Sequence, residues 1–348
     1  AGGRAGEAAR TLATMRQCAV ALRNAASSEE AQLAALKRVR KLLAAEVGPP
    51  IDEAIQSGVL DQLIRRLAAG FPPEFQFEAA WALTNVTSGT TDQTGAVVQA
   101  GALPYLVELL GAEREDVREQ AAWVVGNVAG DVAAHRDQAL RAGAIPPLLR
   151  CIRGTNRISL ARIAMWSLGN LCRGRGRPPY ELLSPAMDVL VQLLYSKDDD
   201  LLQESVAALA FVTTDPTSLD DLLLTGACRR LVNLAALQGK PALQVKALRT
   251  LGNVTHGSDQ QTQVVLNSGG LPVLYLALSH EDASVRREAC WVVANITAGT
   301  SHQVMRVVQA NLVPRLVSII ERDSFAVRRE ATYAICNATA RGKDEYLR

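Results

Sequence analysis

Four tryptophans each stand four residues before an asparagine: Trp81 and Asn85, Trp123 and Asn127, Trp166 and Asn170, Trp291 and Asn295. Two more asparagines keep the register behind another residue, Arg249 before Asn253 and Tyr333 before Asn337. Residues four apart share a helix face, so each pair sets a ring or a long side chain beside an amide. An amide can donate to and accept from the main chain of an extended peptide. Parallel indoles would leave slots whose walls suit long aliphatic stems and attract a terminal cation. Four residues after the asparagine the chain has Gly89, Gly174, Gly257 and Gly299, but Asp131 and Asp215 in two copies. A carboxylate at a helix C-terminus opposes the helix dipole by roughly 0.3–1 kcal/mol, which a docked cation would reverse. Glu204 and Glu330 lie three residues before Ala207 and Tyr333, and Gln120 holds the same place before Trp123.

A packing role alone explains the asparagine row poorly. Asparagine is mediocre in mid-helix, and a buried amide needs partners. A groove for an extended peptide explains it better. Adjacent helices lie ~8–10 Å apart and an extended chain covers ~3.3–3.6 Å per residue, so a rung meets the peptide every two or three residues. Catalysis is not expected. His135, His256, His280 and His302 have no metal-ligand spacing, and no nucleophile, base or phosphate-binding glycine loop emerges. Neither a cofactor nor a metal is expected.

The positioning elements follow from the ladder itself. Its asparagines are spaced 42, 43, 83, 42 and 42 residues apart, the long interval holding a copy with Phe211 in the asparagine place. A period near 42 belongs to helical repeats, not to a single globular core. Helical spacing predicts two helices in a first, atypical repeat, Thr11 to Asn24 and Glu29 to Ala44, behind a tail at residues 1–10. The second repeat reads as a short helix from Ile51 to Gln56, another from about Leu60 to Ala69, and a longer third from about Phe75 to Thr87. Later repeats fall at roughly 92–130, 134–173, 178–215, 217–257, 260–299 and 302–342, giving eight in a domain spanning 11–348. A turn at Gly58 recurs at Gly101, Gly143, Gly226 and Gly269, and as Asn311 in the last repeat. Asparagine is the other residue that tolerates a left-handed backbone, so one turn geometry is expected throughout. Prolines 104, 146, 272 and 314 follow three residues later, where they open a helix. Gly174 to Pro179 reads as a looser connector. Three helices per repeat match an armadillo-type unit.

Composition adds exclusions. A net charge of +2 provides no global field for nucleic acid or membranes, so charge-driven binding must be local. No apolar run reaches the ~18–20 residues that would span a bilayer. Six scattered cysteines without a C-x-x-C pair read as buried, reduced thiols.

With these residues in hand, the chain resembles importin-alpha, the armadillo-repeat adaptor of nuclear import. The runs PPIDEAIQSGV, FEAAWALTNVTSGTT, VVGNVAGD, ALRTLGNVTHG, EACWVVANITAG and EATYAICNATARG carry the resemblance, which extends from about Glu29 to Leu347. It implies an all-α, right-handed superhelical solenoid that binds Lys/Arg-rich nuclear localisation signals, extended and antiparallel to the repeats, in a concave groove. A larger site would use Trp81, Asn85, Gln120, Trp123, Asn127, Trp166, Asn170 and Glu204, with Gly89, Thr94 and Asp131 gripping a key lysine. A smaller site would use Arg249, Asn253, Thr262, Trp291, Asn295, Glu330, Tyr333 and Asn337. A bipartite signal would occupy both. Cargo proteins, importin-beta and an export receptor are the implied partners, and cytoplasm and nucleus the implied locations.

Departures from the family pattern lie at Tyr333 and Ala207, in place of tryptophans, and at Ile163, in place of an asparagine. They are expected to weaken the far end of the larger site more than its lysine pocket. Neither the basic segment that binds importin-beta nor the last repeats that contact the export receptor are recognisable, which suggests a piece of something longer. The alternative is a catenin-like armadillo scaffold in signalling or adhesion. Such grooves are lined with lysine and arginine and take acidic peptides, the opposite polarity to Trp, Asn and Asp131.

Overall fold

The computed structural model describes residues 2–174 and 176–341, with side chains from residue 6 onward. Arg175, in the expected connector, lies outside the described residues, as does 342–348 at the end of the expected domain. Every regular element among the described residues is helical.

The chain divides at Pro178–Pro179 into two compact units. The first opens with α1 (Gly2–Arg23) and α2 (Glu29–Leu43), then α3 (Ile51–Ser57), α4 (Val59–Arg65) and α5 (Pro73–Thr87). Two further triplets follow: α6 (Thr91–Gln99), α7 (Ala102–Leu109), α8 (Glu115–Asp131), then α9 (Ala133–Arg141), α10 (Ile145–Arg153), α11 (Ile158–Cys172). The second unit begins with α12 (Tyr180–Leu183), a 3-10 turn at Ser184–Ala186, α13 (Met187–Leu193) and α14 (Asp199–Val212). Its other triplets are α15 (Ser218–Leu224), α16 (Cys228–Ala235), α17 (Pro241–Thr255); α18 (Asp259–Asn267), α19 (Gly270–Ala277), α20 (Ala283–Thr297); and α21 (Ser301–Gln309), α22 (Val313–Arg322), α23 (Phe325–Arg341). Residues 2–10, expected as a tail, belong to α1. Ala8, Ala9, Glu7 and Arg10 are good helix formers, and here propensity acts without the apolar spacing that marks a packed helix.

The turn geometry follows the glycine pattern. Gly58, Gly101, Gly143, Gly226 and Gly269 all have φ between 73° and 89°, and Asn311 has φ 60° at the equivalent place. The glycines after the third helix have a different cause. A side chain on Gly89, Gly257 or Gly299 would collide with the amide oxygen of Gln93, Gln261 or Gln303. Each glutamine closes a capping box with Thr90, Ser258 or Thr300 at the start of the next triplet. All three also donate back one repeat, Gln93 to the Asp52 carboxylate at 2.7 Å, Gln261 to the Asp220 carboxylate at 2.8 Å and Gln303 to the Asp259 carbonyl at 2.8 Å. The same amide therefore caps its own helix and ties two repeats together.

Third helices stack in sequence, α2 on α5, α8 and α11 in the first unit, and α14, α17, α20 and α23 in the second. Their contact faces are small: Ala79, Ala80, Ala121, Ala122, Ala164, Ala247 and Ala289 are buried. Small residues bring the backbones close, and larger neighbours such as Leu83, Leu168 and Leu251 fill the core behind them. Five cysteines are buried, but Cys336, expected among them, is exposed. Burial pushes the Cys172 and Cys290 thiols up to about 12 and Cys228 to about 11, holding them protonated.

Candidate peptide groove

The asparagine row has a structural duty as well as an exposed edge. Asn127 donates from Nδ2 to the Thr84 carbonyl and to Thr87 Oγ1, both at 3.2 Å. Asn253 repeats the contact with Ala210 at 3.0 Å and Thr213 at 2.9 Å. Asn295 and Asn337 donate to the Gly252 and Ala294 carbonyls, each at 3.0 Å. Each amide thus bonds the third helix of the repeat before it. Asn127, Asn253, Asn295 and Asn337 remain half-buried, with their Oδ1 acceptors uncommitted among the described residues. Asn170 differs. It is buried, donates to the Gly126 carbonyl at 2.8 Å, and accepts from the Arg173 guanidinium. Asn85 differs the other way: its buried Nδ2 has no partner among the described residues.

The ring positions do not form parallel slots. Trp123 and Trp166 touch, with centroids 5.2 Å apart and planes tilted by 54°. A side chain on Gly126 would occupy the Trp166 indole, and one on Gly252 the Trp291 indole, so these glycines leave room for the ring of the next repeat. Trp81 packs edge-on against Phe77, and Arg40 from α2 lies 4.1 Å from its ring centre while pairing with Glu78. Trp123 and Trp166 therefore make a tilted aromatic ledge, not two parallel walls with a gap between them.

Asp131, the last residue of α8, lies about two turns beyond Trp123 on the same helix. Oδ1 accepts from Thr91 Oγ1 at 2.7 Å, and Oδ2 lies 2.8 Å from His135 Nδ1. Its side chain remains 16 % exposed. Thr94 is buried and spends its hydroxyl on the Thr87 carbonyl at 3.3 Å, and Gly89 lies exposed at the end of α5. Gln120 accepts from Thr84 Oγ1 at 3.4 Å. Glu204 is half-buried on α14, in the second unit.

The second unit has a cleft of about 250 Å³ lined by Arg249, Arg287, Glu288, Trp291, Arg329 and Glu330. Arg249 forks onto buried Glu288 and lies 5.2 Å from the Trp291 ring centre. Arg287 adds a 2.9 Å contact to the same carboxylate, and Arg329 takes Glu330 at 2.7 Å. Glu288 holds the Arg249 guanidinium above its ordinary range, fixing it as a cation. Tyr333 is 55 % exposed. Thr262 repeats the Thr94 contact, donating to the Thr255 carbonyl at 3.2 Å. Asp215 accepts from the Thr217 backbone and hydroxyl, a turn-forming arrangement.

Sequence reasoning missed Glu78, Glu288, Arg173 and His135. The first two were findable, because they occupy the same place before Trp81 and Trp291 that Glu330 holds before Tyr333. His135 stands four residues after Asp131, but a helix break at Val132 hides that relation.

An all-helical chain of stacked triplets, with αL turns and capped first helices in register, is an armadillo solenoid, and the chain belongs to the Armadillo/beta-catenin-like repeat family, matched at residues 49–88, 90–130, 133–173, 258–298 and 300–340. Within it, the repeats resemble those of importin-alpha subunits. The chain is 40% identical over 75% of its length to importin subunit alpha-1a of Oryza sativa subsp. japonica, covering 50% of that protein. It is 44% identical to importin subunit alpha-4 of Arabidopsis thaliana over 75% of its length, covering 49% of that relative. To importin subunit alpha-B of Dictyostelium discoideum it is 47% identical over 63% of the chain and 43% of the relative. The chain thus spans about half the length of these curated relatives or less. An engineered protein of known crystal structure aligns with a TM-score of 0.85 at 26% identity, over 96% of this chain and 80% of that one.

Proposed function

We propose that this chain is the cargo-binding part of a nuclear import adaptor, taking Lys/Arg-rich nuclear localisation signals as extended peptides. The observation that carries the reading is Asp131, a solvent-reachable carboxylate at the C-terminal end of the helix that carries Trp123, with no arginine on it among the described residues. A lysine stem lies along the indoles and its ammonium reaches Asp131, while the free Oδ1 of Asn127 accepts from the peptide main chain. Similarity to importin-alpha subunits supports the same reading and suggests importin-beta and an export receptor as partners of the whole protein, and passage between cytoplasm and nucleus.

Fluorescence anisotropy with a labelled lysine-rich monopartite peptide tests it. The peptide binds, weakens as salt rises, and loses about 2 kcal/mol or more on Asp131→Lys. Tighter binding of an acidic peptide would favour the catenin-like alternative instead.

A further inference from the structure

We infer that His135 is a specificity-determining residue of the first unit's groove, presenting Asp131 to a lysine when neutral and closing that carboxylate to it when protonated. The inference rests on the proposed basic-peptide site and adds a residue that the tryptophan and asparagine pattern does not contain.

His135 is the third residue of α9, and its side chain is only 13 % exposed. One edge of the ring faces α6: a side chain placed on Gly95 would sit 3.5 Å from both Cε1 and Nε2. The other edge directs Nδ1 at Asp131 Oδ2, 2.8 Å away. An ionised carboxylate only accepts, so Nδ1 carries the hydrogen and the tautomer is set by Asp131. Thr91, at the start of α6, fixes the second oxygen at 2.7 Å. Asp131 is thus oriented from two sides while its side chain stays partly open to solvent.

The surrounding charges single out this pair. From α8 the imidazole meets Asp131, and from α6 it meets uncharged Gly95, with Asp92 exposed one turn earlier. On α9 the adjacent Arg136 turns its guanidinium to Asp137 at 2.8 Å and to the Arg173 carbonyl, at the end of α11, at 2.9 Å. With His135 neutral, the pair carries one negative charge, which an incoming ammonium neutralises. With His135 protonated, the pair is already neutral, and the lysine must compete with a cation built into the wall. Imidazoles change charge between about pH 5 and 8, a range in which lysine and arginine on a ligand do not. Lysine affinity at this position therefore falls as pH falls, and lysine binding in turn disfavours the protonated imidazole.

The test is an anisotropy titration with a lysine-rich peptide lacking His, Asp and Glu, at about pH 7.5 and about pH 5.5. The wild-type chain is expected to lose about tenfold in affinity at the lower pH. His135→Gln, which keeps an N–H for Asp131 but cannot titrate, is expected to hold its affinity across the range. His135→Phe, which keeps a ring against Gly95, also loses the pH dependence. In a lysine-to-alanine scan of the peptide, the pH effect disappears with one lysine only. A full pH effect in His135→Gln and His135→Phe, with binding still dependent on Asp131, overturns the role of His135 alone. No binding at about pH 7.5, or binding indifferent to Asp131→Asn, overturns the groove reading and this inference together.

Discussion

The two units build the same rung from the same positions and arrive at different electrostatics. In the first, Trp123 and Trp166 make a ledge, and Asp131, at the end of the same helix as Trp123, is held by a hydroxyl and an imidazole. In the second, a guanidinium replaces one indole, and Glu288 and Glu330 are both tied to arginines. On the proposed function, an incoming cation would meet a carboxylate without an arginine in one unit, and would have to displace or share a fixed arginine in the other. The difference teaches that counting acidic residues along a groove is a poor guide to where lysine binds. What matters is which carboxylates already have a permanent cation.

The largest expected effect breaks the comparison directly. Trp123→Ala is expected to cost a monopartite basic peptide about 2 kcal/mol or more, the scale of a central aromatic anchor. Trp291→Ala should cost it less than half as much, measured by anisotropy with the same peptide. A larger loss at Trp291 would reverse the assignment of the two units. Next comes the arginine pair. Arg249→Ala leaves buried Glu288 with only half-exposed Arg287, and is expected to lower stability by about 1 kcal/mol in urea unfolding, well short of a fully buried broken pair. A neutral outcome would mean that Arg287 alone satisfies Glu288. A smaller change sharpens the contrast: Tyr333→Trp is expected to improve a bipartite peptide by about 0.5 kcal/mol and leave a monopartite one unchanged.

The smallest effect is a pH dependence. Arg286 holds Asp323 below its ordinary range through a forked contact at 2.5 and 2.9 Å. A depressed carboxylate pKa stabilises the fold above the unfolded value, and that stability is lost as pH falls through the folded one. Asp323→Asn should therefore reduce stability near neutrality and flatten its loss in acid, read from melting temperatures across pH.

Much of the fold was legible because one period governs it. The turn at Asn311 was readable beside its glycine sisters, since few other residues accept a left-handed backbone. Gly89, Gly257 and Gly299 make room for a glutamine that the sequence shows only as a T/S-x-x-Q spacing. The candidate site was readable as a set of positions at one helical register, but not as a surface. Spacing puts Trp123 and Trp166 on matching faces, yet it cannot say that the rings tilt into contact or that Arg40 covers Trp81. Nor does it reveal that the asparagines spend an N–H on the preceding helix, because that bond joins residues 43 or 44 apart. Asn170 carries the clearest warning. It has the ladder's identity and register, but it is buried, with its amide donating to Gly126 and its oxygen accepting from Arg173.

The central claim is that Asp131 is the groove's main anchor for a basic peptide. The direct test compares Asp131→Asn with Glu330→Gln, two changes that each keep shape and remove a charge, in anisotropy titrations of one lysine-rich monopartite peptide at neutral pH. A loss of about 2 kcal/mol for Asp131→Asn, with Glu330→Gln within about 0.5 kcal/mol of the unaltered chain, is the predicted result. Equal losses, or a greater loss at Glu330, would contradict it.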